Sequence, residues 1–174
     1  MKTILTLIAG IVVGAAAVVV VIGSGAQQFM IEETNSPLGF EETVDAISAT
    51  VKGKGWKLPK IYRLDNSMKK EGYTIPPVAV LELCHADHAY KILSKDASRI
   101  VTPFMPCRIS VYQRDNGEVV VARMNSGLMS KLFHQDIAQV MAAATGEVEG
   151  IITAAIQTPP NLAAVDATPN TATN

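Results

Sequence analysis

Twenty consecutive residues, Ile4 to Gly23, carry no charge: ILTLIAGIVVGAAAVVVVIG. At 1.5 Å rise per residue a helix of this length spans about 30 Å, the hydrocarbon thickness of a bilayer. A helix buried in a globular core would show a polar stripe. Here the one polar side chain is Thr6. Lys2 precedes the run and no basic residue follows it until Lys52, so the charge bias leaves the start in the cytoplasm and sends the remainder out. The expectation is a single-pass anchor over residues 1–26 in the inner (cytoplasmic) membrane, with the lipid bilayer as partner and a soluble domain on the periplasmic side. A cleaved signal peptide is the rival. Its apolar region is normally ~7–15 residues, shorter than this run, although Ser24-Gly25-Ala26 would suit cleavage. Both readings deliver the domain to the same compartment. Gly10 and Gly14 form a GxxxG, a spacing that lets two helices approach closely but is also common in membrane helices generally.

Residues 27–157 are expected to form one α+β domain. A strand is predicted at Phe29–Glu33, then a turn through Asn35, Ser36, Pro37 and Gly39. Phe40, Val44, Ile47 and Val51 recur at helical spacing. Glu41, Glu42 and Asp45 lie near the positive N-terminal end of that helix, and Gly53 and Gly55 stop it. Trp56–Leu64 is strand-like, and Asn66–Gly72 is a loop or a single helical turn. PVAVLELC, ending at Cys84, is the clearest buried strand, and HADHAYKIL a short helix. Arg108–Arg114 and Glu118–Met124 flank Asp115-Asn116-Gly117, a strong hairpin signal because Asn and Gly tolerate positive φ. Asp136–Ile156 carries one broad apolar stripe, Ile137, Val140, Met141, Ala144, Val148, Ile151, Ile152 and Ile156; Gly146 and Gly150 suggest close approach or a bend. Residues 158–174 turn to Pro, Ala, Thr and Asn, a composition expected to stay disordered. The order strand, helix, two strands, short helix, hairpin, helix predicts a mainly antiparallel sheet with helices on one face.

Charges nearly cancel, at a net of −1, and aromatics are 5% of the chain. Neither an electrostatic footprint nor a stacking platform for nucleic acid follows. Phosphate-cradling glycine loops, G-x-S-x-G and HExxH are missing from the sequence, and no catalytic residue is assigned. Chemistry gathers instead at Cys84 and Cys107. Cys84 ends one strand and Cys107 opens the next. If those strands are antiparallel neighbours the two sulfurs can meet, and in an oxidising compartment a disulfide is the default expectation. Two other readings stay open. A thiol at a helix start has a lowered pKa and suits redox or sulfur handling. Cys84 with His85 and His88, four residues apart at its ends and sharing a helix face, suits copper, zinc or haem iron in electron transfer, with Cys107 and Met124 as further soft ligands. Met105 and Met129 are more often core fillers, and His134, beside Asp136, has a cap or surface role. The cofactor stays unknown.

LELCHADHAYKIL, TPFMPCRISVYQRDNGEVVVARMN and LMSKLFHQDIAQVMAAA resemble the domain of unknown function 302 family. Cys84, Ala89, Leu93, Pro106, Cys107, Val111 and Tyr112 carry the resemblance, over residues 29–156. His85-Ala86 departs from it, standing where Asn-Pro is usual. The resemblance implies a β-α-β4-α-like fold that tends to form homodimers, with no established enzyme activity. The expected function is therefore an extracytoplasmic accessory or binding domain working through the Cys84/Cys107 region.

Overall fold

The computed structural model describes residues 29–157, together with Gly10 and Gly14. Apart from those two glycines, the expected anchor and the expected disordered tail lie outside the described residues. Among the described residues no helix is long and apolar enough to cross a membrane.

Five strands form one antiparallel sheet: β1 (Ile31–Ser36), β2 (Lys57–Arg63), β3 (Val78–Cys84), β4 (Cys107–Gln113) and β5 (Val119–Met124), in the order β1-β5-β4-β3-β2. The fold is α+β, as the element order predicts. The β4–β5 hairpin closes where Asn-Gly said it would. Gly117 takes φ 88°, a conformation that costs a side-chain-bearing residue energy, and the Asn116 side chain accepts from the Glu118 N–H at 3.0 Å.

Two long helices cover one face of the sheet. In α1 (Phe40–Gly53) the predicted stripe Phe40, Val44, Ile47 and Val51 is buried. Glu42 accepts from the Gly39 N–H at 3.1 Å, satisfying a donor at the helix start. The final helix, which runs Gln135–Gln157, buries Ala144, Val148, Ile151, Ile152, Ala155 and Ile156 against α1 and the strands. Its Gly146 and Gly150 do not serve close packing, for a Cβ at either would meet nothing within 4 Å.

Three short elements escape the sequence pattern. Leu64–Lys70 is a seven-residue helix, α2, longer than the loop or single helical turn expected there, and it buries no residue; without an apolar face it leaves no periodic signal. A 3-10 helix occupies Asp96–Phe104, and a five-residue helix follows β5. In chain order the remaining helices are α3 (Ala86–Leu93), α4 (Ser126–Ser130) and α5 (Gln135–Gln157). A second, smaller apolar cluster, Ile92, Val101 and Ile137 with Met105, Phe133, Val140 and Met141 around it, joins α3, the 3-10 helix and the start of α5. The seam between the two clusters holds the candidate site.

Candidate functional site

Strand register decides what the two cysteines can do. Leu83, not Cys84, lies opposite Cys107 across β3 and β4. Successive strand residues point to opposite faces of the sheet, so Cys107 shares the core face with Leu83, Ile109 and Val111, and Cys84, at the strand end, is offset from it by one residue of register. The expected disulfide is accordingly not formed: both are free cysteines. Burial pushes the Cys107 thiol pKa up, and the neighbouring Cys84 adds to the shift, because a thiolate there would be poorly solvated. Both thiols are thus expected to alkylate without reductant, Cys107 the more slowly and with its rate still climbing above the ordinary thiol range of about 8.5. Peptide mass analysis after timed iodoacetamide treatment checks this; labelling that waits for a reductant would restore the disulfide.

Cys84 and His88 do not share a helix face either. Cys84 belongs to β3, and His85 is the N-cap of α3 with no side-chain cap bond. What the chain does bring together is an aromatic cluster. Lys57 pairs with Cys84, which sets Trp56 beside the β3–α3 junction. The Trp56 ring lies 5.4 Å from His85 and 5.8 Å from His88, and the two imidazoles are 4.9 Å apart. Glu147 of α5 holds the cluster from outside. It accepts from Trp56 Nε1 at 2.9 Å on one oxygen and from His88 Nε2 at 2.9 Å on the other. Those two bonds, the His88 one first, hold the Glu147 carboxyl below its usual range.

An ionised carboxylate only accepts, so the His88 proton that faces it sits on Nε2. In the neutral ring Nδ1 then carries a lone pair. That Nδ1 is buried without a hydrogen-bond partner, and so is the Nδ1 of His85. A buried polar atom left unsatisfied costs about 1–3 kcal/mol, so each calls for an explanation.

Both rings line a cleft of about 80 Å³, open to solvent, whose walls include Leu83, Ile92, Val101, Met105, Val140 and Met141 along with Cys84 and Cys107. That volume exceeds the ~10–15 Å³ needed for one water. The walls are almost wholly apolar, so the two imidazole nitrogens are conspicuous there. Cys107, together with Phe104, Pro106, Ser126 and Thr145, also borders a neighbouring cleft of about 90 Å³, whose lining includes Arg108, Arg123, Met124 and Glu149.

Of the five residues singled out from sequence, four meet in this cleft and Met124 does not. Met124 ends β5 beside Ile31 and lines the neighbouring cleft. Among the described residues no group of three or more His, Cys, Asp or Glu side chains is arranged to hold a metal ion. His134 is exposed, and its backbone carbonyl starts α5 by accepting from Ile137 and Ala138. Sequence reasoning missed Trp56 and Glu147. Trp56, the chain's one tryptophan, offered a compositional hint; Glu147, ninety-one residues further on, offered none.

The model of the family "Domain of unknown function DUF302" matches residues 32–158, which is most of the chain. The chain belongs to this family. The crystal structure of an uncharacterised conserved DUF302 protein from Bacillus stearothermophilus is similar, at TM-score 0.63 and 17% identity, over 71% of this chain and 95% of that one. At that identity the likeness extends to the fold alone. No curated protein matches the chain. The resemblance in LELCHADHAYKIL and PCRISVY therefore identified the DUF302 domain correctly.

Proposed function

We propose that this DUF302 domain is a membrane-anchored, extracytoplasmic binding module whose cleft takes a small apolar ligand that donates a hydrogen bond. The observation that carries the reading is the His88 Nδ1, buried and unpartnered in a cleft lined mainly by hydrocarbon and sulfur. A ligand N–H or O–H there removes the cost of the unsatisfied acceptor, while its apolar body displaces water from apolar walls. Glu147 fixes the ring so that the acceptor is oriented before binding. Burial of Cys107 keeps its thiol protonated at neutral pH, which weighs against a nucleophilic role, since the thiolate is the reactive form.

Pyrrole and furan test the reading. They are nearly isosteric rings, and only pyrrole donates. Trp56 in the wall reports binding by its emission. Pyrrole is expected to bind about tenfold more tightly, the worth of one hydrogen bond to a poorly solvated acceptor. His88→Phe should reduce that ratio to about one while leaving furan binding in place. Equal affinities for both rings in the unaltered chain would remove the proposed acceptor.

One observation favours a second reading. An imidazole that gives its outer N–H to a carboxylate is arranged like the ligand of a metal ion, and the thiols beside it favour a soft ion such as Cu(I). Metal analysis and a visible spectrum of natively purified protein separate the two readings, because only this one leaves a stoichiometric metal.

A further inference from the structure

The sheet has two different ends. Register places Ile31, Lys57, Cys84, Cys107 and Met124 at one end, and Ser36, Arg63, Val78, Gln113 and Val119 at the other. The first end carries large apolar side chains in water: Phe29 is 63% exposed and Met30 50%, with Ile31, Met124 and Leu128 at about 40%. They are neighbours in space. Ile31 pairs with Met124, the Asn125 N–H donates to the Met30 carbonyl at 2.8 Å, and the Asn125 side chain caps the helix that holds Leu128, at 2.9 Å. Scattered exposed apolar residues are ordinary, whereas a contiguous group of them marks a surface that meets something apolar.

The sequence says what is within reach. Phe29 follows the apolar run's last residue, Gly23, by six positions. Even fully extended, six residues span at most ~20 Å. We infer that this end of the sheet docks on the bilayer surface, with Phe29, Met30, Ile31, Met124 and Leu128 entering the interface. The inference rests on the anchored reading of residues 4–23 proposed above. The opposite end bears the polar hairpin Asp115-Asn116-Gly117 and faces away. Contact is hydrophobic rather than electrostatic, because the segment that leads from the run to β1, residues 24–30, contains no charged side chain, and β1 itself brings in two glutamates, Glu32 and Glu33, and no lysine or arginine. Docking also sets the cleft, which is lined by Ser126 at the start of the helix that holds Leu128, beside the lipid surface. An apolar ligand then enters from the membrane and need not cross water.

The full chain, reconstituted into vesicles that contain brominated phosphatidylcholine, tests this. Leu128→Trp and Met124→Trp place reporters inside the docking group, at and beside the position paired with Ile31 across the sheet, and only entry into the lipid, not nearness through the tether, brings them into contact with bromine. Asn116→Trp reports the far end, and the unaltered chain supplies the background of Trp56. At the ~5–10 Å depth of interfacial side chains, bromine should quench most of the emission added at 128 or 124, and little of that added at 116. Raising the salt concentration should change neither result. Unquenched emission at both 128 and 124, in chain that floats with the vesicles, would overturn docking and leave the anchor standing. Chain that does not float with them would overturn both.

Discussion

Trp56→Ala is expected to lower the unfolding free energy by about 3–5 kcal/mol, the usual cost of deleting a large buried aromatic. Trp56 is 4% exposed and belongs to the main core cluster, yet it also forms a wall of the cleft and supports the imidazole pair. Its removal therefore merges a packing void with the cleft. Trp56→Phe keeps much of the apolar area and loses the bond to Glu147, so it should cost about 1–2 kcal/mol by itself. Urea unfolding of the three proteins measures the series. A loss below ~1 kcal/mol for alanine would mean that the ring is not part of the core. The Glu147 bond adds a pH signature. Its carboxyl has a lowered folded pKa, so its stabilising contribution is complete above the unfolded carboxylate range and fades as pH falls through the folded value. The side chain is 48% exposed, so solvent screens most of that contribution. Trp56→Phe should leave this acid-side fall shallower than in the unaltered chain, and His88→Phe should do so more strongly, since the His88 bond is the larger cause of the shift.

The sequence made the frame of the domain legible wherever periodicity carried the information. Phe40, Val44, Ile47 and Val51 and the stripe from Ile137 to Ile156 named the faces of the two long helices, because a helix that buries one side must repeat near 3.6 residues. The short apolar run ending at Cys84 and the Asn-Gly turn marked three of the five strands. What stayed hidden was register. A one-residue difference moves a side chain to the other face, and nothing local to Cys84 or Cys107 revealed that Leu83 would be the cross-strand partner. The expected disulfide failed on that single step. Pattern failed also where burial is uniform. Val119, Val120, Val121 and Ala122 are all buried, so no alternation marks which of them faces the helices. The site was half legible: the cysteines and histidines are close in sequence, whereas Trp56 and Glu147 join them only through the pairing of β2 with β3 and the docking of α5.

The same uniform strand ends in the charge with the second large expected effect. Arg123→Ala should cost about 2–4 kcal/mol, below the upper end for breaking a fully buried pair because its carboxylate partners keep some water. The Arg123 side chain is 11% exposed and projects on the face of β5 that carries Val119 and Val121. Its guanidinium makes two parallel bonds to Glu149 of α5, at 2.8 and 2.5 Å, and a third to the Thr34 hydroxyl at 2.7 Å. Glu32 stands 3.3 Å away. One side chain thus ties β1, β5 and α5 together at the end of the sheet that we infer to meet the membrane. Alanine leaves two carboxylates facing each other with no cation between them, which adds repulsion to the lost bonds. Arg123→Lys keeps the charge but not the two-pronged geometry, and should recover only part of the loss. Arg123→Ala combined with Glu149→Ala should cost less than the sum of the two single changes, with a coupling of about 1–3 kcal/mol. Urea unfolding of the unaltered chain and these four variants at low and at moderate salt is the measurement. A coupling near zero, or one abolished by salt, would show that the pair behaves as an exposed surface bridge and that the junction of β1, β5 and α5 is held by Val121 and Val148 packing alone.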